Sequence, residues 1–388
     1  MDYLLMQMGG GDWIGNIIWL VLFVVFMLYS SRIMITQTVW KLEKDVIMLE
    51  DLAKDAQKIV LKRVARRPTK DVVNNINRVM EFFSVSPISI DPYGVIKKID
   101  LVVKQSDDRF EYFAKQITQN ATKNEIADVK NALAGAITVY QIAKVMRHYL
   151  ELIKRDKILQ LALIVQMQMP MIERMSKAAV KATEAFAEEM PIGDGIGPLI
   201  VASLIPAKAK VKIYGDDEVA VAKAKVAGRD LWVAKASGPG ASTGYPGKFM
   251  QKFCKVNKLD RIITVDAALK LEGEKTGSIA EGVGIAMGGV GTERYEIETI
   301  AVKRNMPIDA VVVKVSEEEA LSPMAKEVVD AMPKAKEFVF DAVKRAGRRE
   351  NIMIFGVGNT CGVGNNESAA RDAESRIRRH ATKAEKKK

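Results

Sequence analysis

The hydrophobic pattern at the start of the chain predicts one membrane-spanning helix. Residues 13–29 carry no charge, and apolar residues continue to Ile35. An α-helix rises about 1.5 Å per residue, so this run is long enough to cross a hydrocarbon layer of about 30 Å. The basic residues Arg32, Lys41 and Lys44 all follow the uncharged run. Because cytoplasmic flanks are enriched in Lys and Arg, we expect a single-pass protein of the cell membrane with a cytoplasmic body.

The segment after this run repeats apolar residues in alternating steps of three and four. The repeating positions are Val39, Leu42, Val46, Leu49, Ala53, Ala56 and Val60. Such a heptad pattern predicts a long amphipathic helix. Two interpretations are open at this point: a parallel coiled coil that makes the protein a homo-oligomer, and a helix that packs on its own domain.

The periodicity stays helical from Thr69 to Met190 and changes at Pro191. Glycine becomes frequent there, and short β-branched runs appear at 211–214, 231–234, 261–265, 310–315 and 352–355. Helical stretches separate several of these runs. Buried strands that alternate with helices predict a mostly parallel sheet with helices on both faces, which is a three-layer α/β domain. The polar stretch from 367 onward predicts a frayed basic helix or a disordered tail.

The predicted fold class is therefore α + α/β, with one transmembrane helix at the N-terminus. Five segments follow from the pattern: 1–35 as the membrane anchor, 36–68 as the amphipathic or coiled-coil helix, 69–190 as a helical domain, 191–366 as the α/β domain, and 367–388 as the basic tail.

Composition narrows the classes of partner and chemistry. The formal charge of the 388 residues is +11, which favours negatively charged partners such as membrane lipid or nucleic acid. Lipid comes first, because no helix-turn-helix, zinc-finger or RRM signature accompanies the charge. With two cysteines and two histidines, the chain has neither a disulfide framework nor a His-rich zinc site. We therefore expect no metal and no other cofactor.

Two aspartates are the strongest candidates for chemistry. Asp194 stands in a glycine-rich turn before an apolar helix, and Asp266 follows the buried run that begins at Ile262. Carboxylates at strand ends face the crevice where open α/β sheets bind ligands. Two that share a proton can activate water and protonate a leaving amine. The alternatives are a helix N-cap for Asp194 and a satisfied turn aspartate for Asp266.

The sequence from Pro191 onward, about half of the chain, resembles the spore germination protease. The motifs are Val265-Asp266-Ala267-Ala268, Thr276-Gly277-Ser278-Ile279, Gly284-Ile285, Gly288-Gly289-Val290-Gly291 and Arg294. Gly195-Ile196-Gly197-Pro198 after Asp194 resembles an element of that enzyme and of the hydrogenase-maturation endopeptidases. The whole chain also resembles an archaeal family of uncharacterised membrane-anchored proteins.

The protease resemblance implies a phosphorylase/hydrolase-like fold with Asp194 and Asp266 as the acids. The substrate cleft would then be lined by Gly240, Gly289, Glu293, Arg294 and Asn359. Two features depart from the pattern. The metal-binding histidine of the hydrogenase-maturation endopeptidases has no counterpart, and Asp194 follows a helix rather than a strand and a G-x-G-N loop. The missing strand and loop resemble residues 352–360, so we hypothesise a circular permutation.

Three functions are compatible with these features. The first is a membrane-tethered peptidase-like hydrolase with paired aspartates and a protein or peptide substrate. The second is a non-enzymatic scaffold or sensor that oligomerises and binds a ligand or protein through its glycine-rich loops. The third is a nucleoside- or phosphate-binding domain, although no P-loop or dinucleotide fingerprint is present. A fold alone does not decide among them.

Overall fold

The computed structural model describes residues 13–65, 68–84, 94–118, 120–286 and 291–385, so Gly289 lies outside the described residues. The chain divides into two compact units. The first contains Met1–Asp51 and Gln141–Glu173, and the second contains Leu52–Tyr140 and Arg174–Lys388. The α/β domain therefore shares its unit with a large part of the preceding helical sequence.

Within the described ranges, five helices precede Pro191 in the sequence. They are α1 (Trp13–Val64), α2 (Lys70–Met80), α3 (Val95–Ile117), α4 (Lys123–Asp156) and α5 (Leu159–Ala187). The heptad positions of α1 from Leu42 to Val60 are at most 5% exposed within the single chain. The apolar seam is therefore filled by residues of the same chain. This favours the second interpretation of the pattern, because a coiled coil with another copy would need that seam to be open.

The apolar start of α1 is not one straight membrane span. Among the described residues no single helix is both long and apolar enough to cross a membrane. One pair, Ile17–Met27 and Arg32–Val64, has the required length and composition but is bent by 42°. At the bend the Ser30 hydroxyl donates to the Met27 carbonyl at 3.1 Å. Serine bonds of this kind bend helices because they compete with the backbone ladder. The prediction of one membrane-spanning helix is thus supported only by this bent pair.

The second unit contains a mixed sheet with seven strands in the part of the chain that the structure describes. The strands are β1 (Lys212–Tyr214), β2 (Val219–Val226), β3 (Arg229–Ala236), β4 (Arg261–Leu269), β5 (Ile279–Val283), β6 (Ile308–Val315) and β7 (Ile352–Gly356). The order is β1-β2-β3-β7-β4-β6-β5. The pairings β3–β7, β7–β4 and β4–β6 are parallel, and the other three between these strands are antiparallel. The mostly parallel sheet of the prediction is thus only its centre.

Helices cover both faces of this sheet. They are α6 (Ile196–Ala202), α7 (Pro246–Val256), α8 (Thr292–Arg304), α9 (Glu317–Leu321), α10 (Lys326–Asp330), α11 (Met332–Arg345) and α12 (Glu367–Glu385). Successive side chains of a strand point to opposite faces. Accordingly, Ile263 and Val265 of β4 join a core with α6, α11 and α12, whereas Ile262 joins a core with α7 and α8.

The C-terminal segment is an ordered helix, which corrects the prediction of a frayed helix or a disordered tail. Ala370, Ala373 and Ile377 of α12 are buried in the same core as α6 and α11. These three residues follow each other at steps of three and four, so they form one apolar stripe on a helix that is otherwise charged. The high charge of the segment concealed this stripe.

Candidate functional site

The parallel strands bring their carboxyl ends to one edge of the sheet, inside the second unit. A cleft of about 650 Å³ opens at that edge. Its lining includes the last residues of β4, the loop after β7, the start of α8, and parts of α3 and α9. A cleft of this size at the carboxyl ends of parallel strands is the common ligand-binding position in open α/β sheets. Asp194 and Asp266 both line it.

Asp266 occupies the sixth position of β4 and is 3% exposed. Its Oδ1 accepts a hydrogen bond from the backbone N–H of Ala267 at 2.7 Å. Burial raises the pKa of the Asp266 carboxyl well above its ordinary value, and the nearby negative charge of Asp194 raises it further. Asp266 is therefore in an environment that favours its protonated form.

Asp194 lies in a 3₁₀ turn, Gly193–Gly195, which leads directly into α6. It does not cap that helix. Instead, its Oδ2 accepts the backbone N–H of Asn359 at 2.8 Å. Burial raises the pKa of Asp194, and the hydrogen bond from Asn359 opposes that rise. The N-cap alternative is thus wrong, because the carboxylate points to the loop after β7.

Gly358 allows this approach between two distant parts of the chain. A Cβ on Gly358 would lie 2.0 Å from the carbonyl oxygen of Asp194, and the φ of Gly358 is +127°. A side chain would therefore clash with the turn and strain the backbone. Since β7 lies between β3 and β4 in the sheet, the loop after β7 is held beside Asp194. The central position of β7 and the bond from Asn359 to Asp194 are compatible with the circular permutation, which stays a hypothesis.

Within the described parts of the chain, neither carboxylate has a cationic partner. Asp194 and Asp266 form no ion pair there, and the hydrogen bonds they accept come from backbone N–H groups. Two unneutralised carboxylates in a poorly hydrated cleft cannot both ionise easily, so one of them tends to hold a proton. Such a pair can act as a general base and a general acid at the same time.

Two family models together match most of the chain. The N-terminal domain of DUF1512, a protein of unknown function, matches residues 16–189, and the DUF1512 C-terminal domain of unknown function matches residues 192–364. The chain belongs to this two-domain family. No curated protein matches the sequence. The comparisons thus add neither an activity, nor support for the protease resemblance, nor an archaeal source.

Of the other predicted site residues in this DUF1512 member, two line the cleft directly. Glu293 and Arg294 stand in the first turn of α8. An oxygen of Glu293 accepts the N–H of Gly247 at 2.6 Å, and burial raises the pKa of Glu293 to about 7. Arg294 is half-exposed and pairs with Glu298, one helical turn further along α8, at 2.8 Å.

Asn359 and Gly240 do not line the cleft itself, but they belong to loops that form its walls. The Asn359 side chain accepts the N–H of Cys361 at 2.9 Å, so its side-chain oxygen faces its own loop and its backbone faces Asp194. Gly240 packs against Asn124 of α4. In the same glycine-rich loop it is Thr243 and Gly244 that line the cleft. In these two loops, neighbours of the predicted residues line the cleft instead, whereas Asn359 and Gly240 do not.

Several lining residues of the DUF1512 site carried no marker in the sequence. Asp100, Val103 and Lys104 come from α3, and Tyr245 follows the glycine-rich loop. The Tyr245 hydroxyl donates to Asp107 at 3.0 Å, which fixes the ring between α3 and the sheet edge. Nothing in the amphipathic pattern of α3 distinguishes a cleft wall from a solvent face. Across the described residues, no three His, Cys, Asp or Glu side chains converge as metal ligands.

Proposed function

We propose that the α/β domain hydrolyses amide bonds in a peptide substrate, with Asp194 and Asp266 as the acid–base pair. The observation that carries the proposal is the meeting of two carboxylates, both with a raised pKa, in one cleft at the carboxyl ends of parallel strands. Perturbed carboxyl groups of this kind concentrate at functional sites because the acid and the base of a reaction need different protonation states near neutral pH.

The two aspartates take different roles in this mechanism. Burial raises the pKa of both carboxyls. The negative charge of Asp194 raises the pKa of Asp266 further, whereas the N–H of Asn359 favours the ionised form of Asp194. We therefore assign the ionised form to Asp194 and the proton to Asp266. Asp194 takes a proton from water as the water oxygen attacks the amide carbon, and Asp266 donates its proton to the carbonyl oxygen. Asp194 then gives its proton to the leaving amine as the C–N bond breaks, and a hydroxyl proton returns to Asp266.

We also propose that the bent apolar part of α1 tethers the protein to a membrane, with the second unit in the cytoplasm. The side chains of Trp19, Phe23 and Phe26 are each more than six-tenths exposed to their surroundings. A contiguous apolar surface of this kind is costly in water and favourable in lipid. The basic residues that follow the run support the cytoplasmic orientation.

The test is a comparison of cleavage products in cells that carry the wild type, Asp194→Asn, Asp266→Asn, or both substitutions. Asp341→Asn is the matched control, because Asp341 is exposed on α11 and pairs across one helical turn with Lys344. We expect one set of cleavages to disappear equally in the single and double variants and to persist in the control. Equal loss identifies the two groups as one catalytic unit.

Unchanged products in folded variants would exclude catalysis by this pair. The cleft would then be a binding site, as in the scaffold or sensor hypothesis. Thr243 and Gly244 of the glycine-rich loop line the cleft and favour that second function. Co-purification of the membrane complex would then identify the bound partner.

A further inference from the structure

The first unit contains a helical hairpin whose register against α1 can be read from two ion pairs. Arg147 of α4 pairs with Glu50 of α1 at 2.8 Å, and Lys154 of α4 pairs with Glu43 at 2.7 Å. The second ion pair lies seven residues later on α4 and seven residues earlier on α1 than the first. The two helices are antiparallel and keep the same register over two turns. Continuing this register, the end of α4 and the start of α5 lie level with Val39 and Trp40.

Burial along α1 shows that the helical packing stops at the same level. Among the side chains described, Thr38 is the first buried residue of α1, at 6% exposure. The apolar run that we propose as the membrane anchor ends at Ile35. Val39 lies four positions after Ile35, which is a rise of about 6 Å along the helix axis. The tip of the α4–α5 hairpin therefore lies within one headgroup layer of the place where the anchor leaves the lipid.

The chemistry of this tip fits such a position. Lys154 is already paired with Glu43, but residues 155–157 add two cationic side chains, Arg155 and Lys157, and one anionic side chain, Asp156, which pairs with Arg155 at 2.7 Å. Ile158 follows them and is 42% exposed. Basic side chains beside an exposed apolar residue are typical of surfaces that bind anionic lipid. Trp40 at the same level is 63% exposed, and the Lys44 ammonium lies 3.6 Å from its ring centroid. Tryptophan prefers the membrane interface.

We propose that the tip of the α4–α5 hairpin, residues 154–160, is a second membrane contact that binds anionic lipid headgroups and inserts Ile158 at the headgroup boundary. The proposal rests on the membrane tether proposed above, and it is independent of the hydrolase activity. Its consequence is a two-point attachment. With α1 and the hairpin both held, the first unit keeps one orientation relative to the lipid, which a single flexible tether would not impose.

The test places an environment-sensitive fluorophore on Ile158→Cys in the full chain. The native cysteines, Cys254 and Cys361, are buried and therefore do not compete for the label. The labelled protein is reconstituted into phosphatidylcholine vesicles, with or without phosphatidylserine, that contain a quencher attached to the upper part of the lipid chains. Tyr149→Cys is the matched control, since it is an exposed position of α4 that lies nine residues, about 13 Å, further from the tip.

We expect strong quenching at Ile158→Cys on vesicles with phosphatidylserine, weaker quenching on phosphatidylcholine alone, and none at Tyr149→Cys. Adding Arg155→Glu and Lys157→Glu is expected to remove the quenching at Ile158→Cys. A protein that floats with the vesicles while its label stays unquenched would overturn the hairpin contact and leave the tether intact. A protein that does not float would overturn both. Label self-quenching that requires a second labelled copy would assign the tip to a protein interface instead.

Discussion

Burial raises the pKa of both the Asp194 and the Asp266 carboxyl. The negative charge of Asp194 raises the pKa of Asp266 further. For Asp194 the hydrogen bond from the N–H of Asn359 opposes the rise. The proposal therefore places the proton on Asp266 in the resting state. At the scale of single residues, the proposed division of roles between base and acid follows from this difference.

The first prediction concerns the pH profile of cleavage. Activity requires Asp194 to be ionised and Asp266 to be protonated, so the rate should be bell-shaped. The acid limb should lie above pH ~4, the ordinary range of a carboxyl group, because the pKa of Asp194 is raised. The measurement is the initial rate against pH for a substrate found in the proteomic comparison.

In the same assay, Asp266→Asn should lower the rate about 10²–10⁴-fold and remove the alkaline limb. A profile that keeps both limbs in this variant would show that another group supplies the proton. Glu293, whose pKa is raised to about 7, would be the next group to replace.

A second prediction concerns Lys235, which is fully buried at the end of β3. Its ammonium donates to the Ala236 carbonyl at 2.8 Å and to the Asn365 side-chain oxygen at 2.9 Å. Burial lowers the pKa of Lys235 to about 7. Between pH ~7 and ~10 the unfolded chain therefore binds a proton that the folded chain lacks, and the free energy of unfolding should rise with pH through that window.

Lys235→Met should remove this rise, which amounts to at most about 5 kcal/mol for a pKa lowered from its ordinary value to about 7. The measurement is chemical denaturation of both proteins at pH values across the window. Lys344→Met, at an exposed position on α11, is the matched control and should keep the wild-type pH dependence. Parallel pH dependence of the wild type and Lys235→Met would contradict the buried-charge explanation.

At the scale of elements, α12 shows that a highly charged helix can pack into the core through one apolar stripe. Most of its surface is polar, but Ala370, Ala373 and Ile377 are buried in the core, where α12 packs against α6 and α10. The third prediction is that Ile377→Ala lowers the free energy of unfolding by about 2–5 kcal/mol, because it leaves a cavity in a packed core. His380→Ala, on the same helix, should change it by at most about 0.5 kcal/mol. Equal effects in chemical denaturation would mean that α12 is not part of the folded core.

The elements that the pattern missed had weak signals for identifiable reasons. β2 reads VAVAKAKV, in which alanine has low β propensity and lysine interrupts the apolar run. β5 is five residues long and contains a glycine. Both strands pair antiparallel with a neighbour, so their partners in the sheet compensate for their weak intrinsic preference. Pairing of this kind is not visible in a local window.

At the scale of the whole molecule, the membrane tether proposed for α1 can be tested through its exposed apolar side chains. The fourth prediction is that Phe23→Arg with Phe26→Arg reduces the fraction of protein in the membrane pellet, because each arginine costs about 3 kcal/mol at the centre of a span. Gln37→Arg, at an exposed position of α1 beyond the apolar run, is the control and should leave the fraction unchanged. Equal membrane fractions in all three proteins would show that another part of the chain holds the membrane.

The sequence alone determined the features that depend on local periodicity and composition. The apolar run, the long amphipathic helix, the change at Pro191 and five of the seven described strands follow from patterns of period 3.6 and 2, which reflect how side chains project from a helix or a strand. The candidate aspartates were found in the same way, because an acid next to an apolar run is a local signal. Family models that match 16–189 and 192–364 meet at the same change in pattern.

Tertiary structure alone decided what these elements contact. The insertion of β7 between β3 and β4, the bond from Asn359 to Asp194 and the cleft wall from α3 join residues far apart in sequence. The burial of the heptad seam and of the α12 stripe likewise depends on which neighbours cover them. The local pattern of a segment shows which of its side chains favour water and which favour an apolar core. Only the folded chain determines which of these surfaces pack together to form the core.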